Sequence, residues 1–145
     1  GDLESQLVLN QEPNTEPSAS IEKVWCEHGV FRNGQKGMEI HVKFHVKRML
    51  GKTGRCNVYF FQSDNTTPLK DYNNNYTSSD EQVSCGENFT PSYEESVFKD
   101  FTLFMPLEEL HMGIGEFDLT FDVAIFDDKG NVLSQHENEK FTKSY

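Results

Sequence analysis

Two stretches of the chain alternate apolar and polar side chains with a period of two. Met38, Ile40, Val42, Phe44 and Val46 interleave with Glu39, His41, Lys43, His45 and Lys47. Phe117, Leu119, Phe121, Val123 and Ile125 interleave with Glu116, Asp118, Thr120, Asp122 and the small Ala124. Alternation of this kind puts one set of side chains on each face of a strand. Wound into a helix, the same residues would be smeared around the axis and leave no apolar stripe. Half-buried strands belong to antiparallel sheets packed on a second layer.

The remaining segments extend that pattern. Ile21 to Glu27 reads as a first strand with Trp25 as core anchor, and the turn signals Asn33-Gly34 and Lys36-Gly37 lead into Met38 to Lys47. Arg55 to Gln62 carries Val58, Tyr59, Phe60 and Phe61 in a row, which suits a central strand covered on both sides. A weak strand is expected near Gln82 to Cys85, and a strong one over Phe98 to Met105, ended by Pro106 because proline cannot donate to a ladder. Leu107 to His111 reads as a short helical turn with Pro106 at its start and Gly113 and Gly115 closing it. Glu116 to Phe126, the turn Asp127 to Asn131 and a last strand from Val132 complete the series. About seven short strands separated by turn signals define an all-β, two-sheet antiparallel sandwich.

Residues 1–20 read as a flexible tail or tether and residues 21–145 as a single β-sandwich domain. The segment Asn10 to Ser20 holds Pro13 and Pro17, with Ala19 its one apolar side chain, too little to offset the entropy of ordering. Twelve Phe, five Tyr and one Trp supply core material without disulfides. Cys26, Cys56 and Cys85 are odd in number and match no zinc or redox spacing, so three unbonded, mostly buried thiols are expected. A net charge of −11 argues against nucleic acid and anionic membrane surfaces as partners. The basic residues Lys47, Arg48, Lys52 and Arg55 are those of a hairpin turn.

The segment Gly115 to Gly130 followed by Val132-Leu133 resembles the last hairpin of bacterial immunoglobulin-like domains: a glycine, an aromatic residue, alternating apolar positions, then an Asp and Gly turn. The stretches around Val24-Trp25, Gly37-Met38 and Phe101 to Pro106 are similar to uncharacterised bacterial β-sandwich domains of the same kind. Phe117 stands where such folds often carry a corner tyrosine. The resemblance spans Ile21 to Thr142 and implies an immunoglobulin-like sandwich. It brings no catalytic residues. Together with the tether-like tail it implies a domain outside the cytoplasm, in the periplasm or on the surface as a lipoprotein, and the opening Gly1 fits either a processed chain or an expression scar.

Chemistry is sparse. His41 and His45 share a strand face but stand about 13 Å apart at a strand's rise per residue, too far to chelate one ion. His111 and His136 are isolated in sequence, and no metal or cofactor is expected. The chain has no Gly-x-Ser-x-Gly elbow and no glycine-rich phosphate loop. Asp127, Asp128 and Asn131 fit a hairpin turn rather than a calcium loop.

The expected function is a non-catalytic interaction module that presents loops or a sheet edge to a protein partner. A carbohydrate-binding module is the alternative, with Tyr72, Asn74, Tyr76 and Tyr93 as ligand-binding residues: tyrosine rings stack on sugars while amides bond their hydroxyls, and loops on rigid scaffolds carry such sites. A hydrolase with a split site is a second alternative. It requires His, Asp or Cys converging in a deep pocket.

Overall fold

The computed structural model describes residues 15–144. Most of the segment read as a tether, residues 1–14, lies outside them. Seven strands follow one another along the chain: β1 (Ser18–Arg32), β2 (Gln35–Lys47), β3 (Gly54–Gln62), β4 (Ser84–Phe89), β5 (Glu95–Pro106), β6 (Glu116–Phe126) and β7 (Val132–Ser144). They form a three-stranded sheet in the order β1-β2-β5 and a four-stranded sheet in the order β4-β3-β6-β7, antiparallel at every pairing. The architecture is a β-sandwich.

The alternating stretches do in space what their period requires. Met38, Ile40, Val42, Phe44 and Val46 turn inward from β2 and are fully buried, as are Leu119, Phe121, Val123 and Ile125 from β6; Phe117 is half-buried at the sheet's end. Between the sheets, Phe44 stacks on Phe98 and meets Phe89 and Phe101 edge-on. A second aromatic knot joins Phe60, Phe121 and Phe141. Such pairs add directional attraction to the area they bury, about 0.5–1.5 kcal/mol each.

Several boundaries differ from the sequence expectation, β5 among them, which begins at Glu95 rather than Phe98. β1 begins at Ser18 and runs to Arg32, because β2 offers it a full-length partner on which weakly apolar residues can pair. Lys36 and Gly37 lie inside β2, so the turn is made by Asn33 and Gly34 alone, both at positive φ (52° and 79°), the geometry of tight hairpins. β4 is Ser84–Phe89, further along than the weak strand expected near Gln82 to Cys85. The turn after β5 is a single 3-10 turn, Leu107–Leu110, and it closes on His111 rather than on Gly113. His111 adopts a left-handed conformation (φ 58°) and its N–H donates to the Glu108 carbonyl at 3.1 Å.

Candidate functional site

The sandwich is asymmetric at its flanks. On one flank β1 and β7 approach each other, and His28 of β1 stacks on Phe141 of β7 at 6.2 Å. On the other, the outer strands are β4 and β5, and residues 63–83 rise beside them. Between these edges lies a cleft of about 790 Å³, lined by β3 and β4 on one wall, by Leu103 and Phe104 of β5 on another, and by residues 75–82 and the β1–β2 turn above. That volume is within the range of small-ligand sites.

The outward positions of β3, every second residue, build the floor. Arg55, Asn57 and Tyr59 form a chain: Arg55 Nε donates to Asn57 Oδ1 at 2.8 Å, and Asn57 Nδ2 donates to the Tyr59 hydroxyl at 3.1 Å. Arg55 Nη1 also donates to Asn88 Oδ1 on β4 at 3.0 Å. These named acceptors are neutral amides, and among the described residues Arg55 is paired with no carboxylate. The guanidinium is thus oriented without being neutralised, in a chain of strongly negative charge. Gly86, directly across β4 from Asn57, makes this possible: a Cβ there would collide with Asn57 Oδ1 and come within 2.7 Å of Arg55 Nη2. At the rim, Arg32 pairs with Glu39 at 2.7 Å and lies 5.4 Å over the Phe104 ring.

Residues 63–83 are tied down by their own polar network. Asp64 caps a turn, accepting from Thr66 N (2.9 Å), Thr67 N (2.8 Å) and Thr67 Oγ1 (2.7 Å). Those bonds, the Thr67 amide first, hold its carboxyl below the usual aspartate range. Asp71 is fully buried at its side chain; Oδ2 accepts from Asn74 N at 2.6 Å and Oδ1 meets His111 Nε2 at 3.1 Å. Glu109 approaches the same imidazole at 3.6 Å. Sequence spacing gave no hint of this group, since it joins a long loop to the residue that closes the 3-10 turn.

The four tyrosine-region residues separate. Tyr76 lines the cleft and packs half-buried against the core, and burial pushes its hydroxyl pKa up. Asn75, its neighbour, also lines the cleft. Asn74 is exposed in a left-handed conformation (φ 59°), spending its N–H on Asp71. Tyr72 is 72% exposed beside His111, which it meets edge-on at 5.7 Å. Tyr93 is 71% exposed in the β4–β5 connection and does not line the cleft. Arg55, Asn57, Tyr59 and Phe104 are among the lining residues that lie outside the loop region singled out in the sequence. The one available signal was the Arg55-x-Asn57-x-Tyr59 alternation opposite Cys56, Val58 and Phe60.

No histidine lines the cleft, and its one thiol, Cys85, is pushed far up by burial. Cys26 and Cys56 are likewise raised by burial, each to about 12, and none of the three cysteines is disulfide-bonded. Neutral thiols of this kind are poor nucleophiles. In the β6–β7 turn, Asp127 Oδ1 accepts from the amides of Lys129 and Asn131 and Oδ2 from Asn131 Nδ2, so both oxygens serve the turn. Among the described residues, no helix is long and apolar enough to cross a membrane.

Fold and cleft together define a two-sheet β-sandwich with one open, polar flank. No family model matches the chain, and no curated protein matches it. Among solved structures it is similar to a bacterial adhesin from Mobiluncus mulieris that contains intramolecular disulfide, isopeptide and ester bond cross-links (TM-score 0.47, 7% identity, 88% of this chain and 57% of that one). A late embryogenesis abundant protein gives a TM-score of 0.38 at 14% identity, over 99% of this chain and 78% of that one. A β-glucosidase from Kluyveromyces marxianus gives 0.39 at 13%, over 97% of this chain and 17% of that one. The chain therefore spans 57% of the length of the adhesin chain. Likenesses at these scores do not bear on activity.

Proposed function

We propose that the protein is a non-catalytic binding module of immunoglobulin-like kind. It takes an extended segment of a protein partner into the cleft between β4 and β5. One observation carries the reading: the cleft runs between two outer strands and holds an oriented guanidinium with no carboxylate partner among the described residues. An extended peptide can add backbone hydrogen bonds to an edge strand, while side-chain contacts select its sequence. Arg55 would then receive a carboxylate or carbonyl of the partner, a charge-assisted bond worth about 1.5–3 kcal/mol. A module of this type fits a place outside the cytoplasm, displayed to partners on a tether.

A second reading is favoured by the lining itself. Asn57, Asn75, Gln82, Ser78 and Ser79 offer amides and hydroxyls near the rings of Tyr76 and Phe104, which suits a glycan with an acidic sugar.

Selection of the whole chain against a displayed library of extended peptides, alongside a glycan array, separates the two. Enriched peptides that shift backbone resonances of β4 or β5 and lose about tenfold affinity or more in Arg55→Ala support the first reading. Gly86→Ala, which displaces the guanidinium without straining the backbone, should weaken the same peptides. Glycan hits with that dependence would install the second reading. Binding unaffected by either substitution would remove the cleft from the function.

A further inference from the structure

On the outer face of the three-stranded sheet, Glu27 of β1 and Glu39 of β2 are direct cross-strand partners. Like charges directly opposite each other destabilise a ladder. Arg32 relieves part of this by taking Glu39 Oε2 at 2.7 Å, leaving Oε1 turned toward His41. His41 is 6% exposed although it stands on the outer face, because Trp25 stacks on its ring at 5.1 Å and 11°. Its Nδ1 meets Asp100 Oδ1 at 2.6 Å and Thr102 Oγ1 at 3.2 Å. With Nδ1 engaged by a carboxylate and a hydroxyl, Nε2 is the ring nitrogen left facing the outer-face acids. That nitrogen is buried and has no hydrogen-bond partner. Facing it are two carboxylate oxygens, Glu39 Oε1 at 3.5 Å and Glu27 Oε1 at 3.8 Å. A buried ring nitrogen facing two carboxylate oxygens without a hydrogen bond calls for a positive charge, a proton or a metal ion, between them.

We propose that His41, Glu39 and Glu27 form a site for a divalent first-row transition ion, with zinc the best match to the donors. One imidazole and two carboxylates suit Zn²⁺, and bonds of about 2.0–2.1 Å in a tetrahedron put neighbouring ligand atoms about 3.3 Å apart. The three ligand atoms lie within 4.8 Å of one another, and the Glu27 side chain, 61% exposed, has room to turn inward and close the set. Asp100 orients the imidazole from behind, as outer carboxylates do for metal-binding histidines. Trp25 fixes the ring's tilt. Three protein donors leave a fourth position for water or for a donor brought by a partner. At the other His-carboxylate cluster the histidine is already engaged, since His111 Nε2 is hydrogen-bonded to Asp71.

The test is Zn²⁺ titration of the whole chain by calorimetry, free of any histidine tag, with Co²⁺ absorption as an independent readout of coordination. One saturable equivalent is expected, with tetrahedral Co²⁺ bands. Glu27→Gln, at an exposed position, should weaken uptake about tenfold or more, and Asp100→Asn about 10–100-fold. His41→Gln should abolish it, while His111→Gln leaves it unchanged. Absence of a saturable equivalent would show that a proton, not a metal, fills the gap, and would overturn the proposal. Uptake that survives Glu27→Gln at full strength, or disappears in His111→Gln, would overturn it equally.

Discussion

Along the β1/β7 flank, His28, Phe141, Phe60 and Phe121 close the sandwich through ring contacts. Along the β4/β5 flank, Phe89 meets Phe98 and Phe101 at one end, while toward the other the sheets part around amides, hydroxyls and a guanidinium. Residues 63–83, anchored in the core by Leu69 and Val83, are tied down above it by Asp64 and Asp71. The first flank is built from contacts that reward any close approach of apolar surface. The cleft end of the second adds polar atoms meeting in particular geometries, each contributing little by itself and costing much when a partner is lost. The cleft is thus confined to one end of one flank, while ring contacts close the opposite flank.

The sharpest way to break that contrast is through the aromatic knot. Phe121→Ala deletes a fully buried ring and should cost about 3–5 kcal/mol, read as a shift of the urea midpoint with the slope preserved. Asp71→Ala should cost less, about 1–3 kcal/mol, because it strands the His111 ring nitrogen and frees the Asn74 amide. Its damage should stay local, seen as faster hydrogen exchange and proteolysis across residues 63–83 with β2 and β6 still protected. Were Asp71→Ala to unfold the sandwich as broadly as Phe121→Ala, the two flanks would be a single cooperative unit and the contrast would fall.

Acid should reveal the smallest effect. The Asp64 carboxyl is lowered by the amide and hydroxyl of Thr67, and that of Asp100 by its hydrogen bond to His41. A carboxyl lowered by folding stabilises the native state above its unfolded pKa, and this contribution is lost as pH falls through the folded value. Asp64→Asn should therefore weaken the loop slightly at neutral pH and match the wild type once both are well below the aspartate range. A difference that persisted in strong acid would show that Asp64 acts through shape rather than charge.

The two sheets were legible because Met38 to Val46 and Phe117 to Ile125 carry their inward and outward faces in the order of the residues themselves. The cleft was less so. Tyr76, singled out for its polar and aromatic surroundings, lines the cleft, but Arg55 and Asn57 stand on the solvent side of a strand whose hydrophobic run drew attention inward. The groups at His41 and His111 were not legible at all. Each joins residues from separate segments, and their meeting depends on strand register and loop path, which local patterns do not encode.

The order of the strands also shapes how the chain reaches its native state. β1–β2 and β6–β7 are hairpins joined by short turns and can zip early. β3 must find β6 across the intervening β4 and β5, so that Phe60 comes to lie opposite Phe121. Loop-closure entropy is spent on that pairing before its contacts can repay it. The pairing of β3 with β6 is therefore the contact of longest reach in the four-stranded sheet, and until β3 docks, one backbone edge of β6 stands open to any strand that reaches it first.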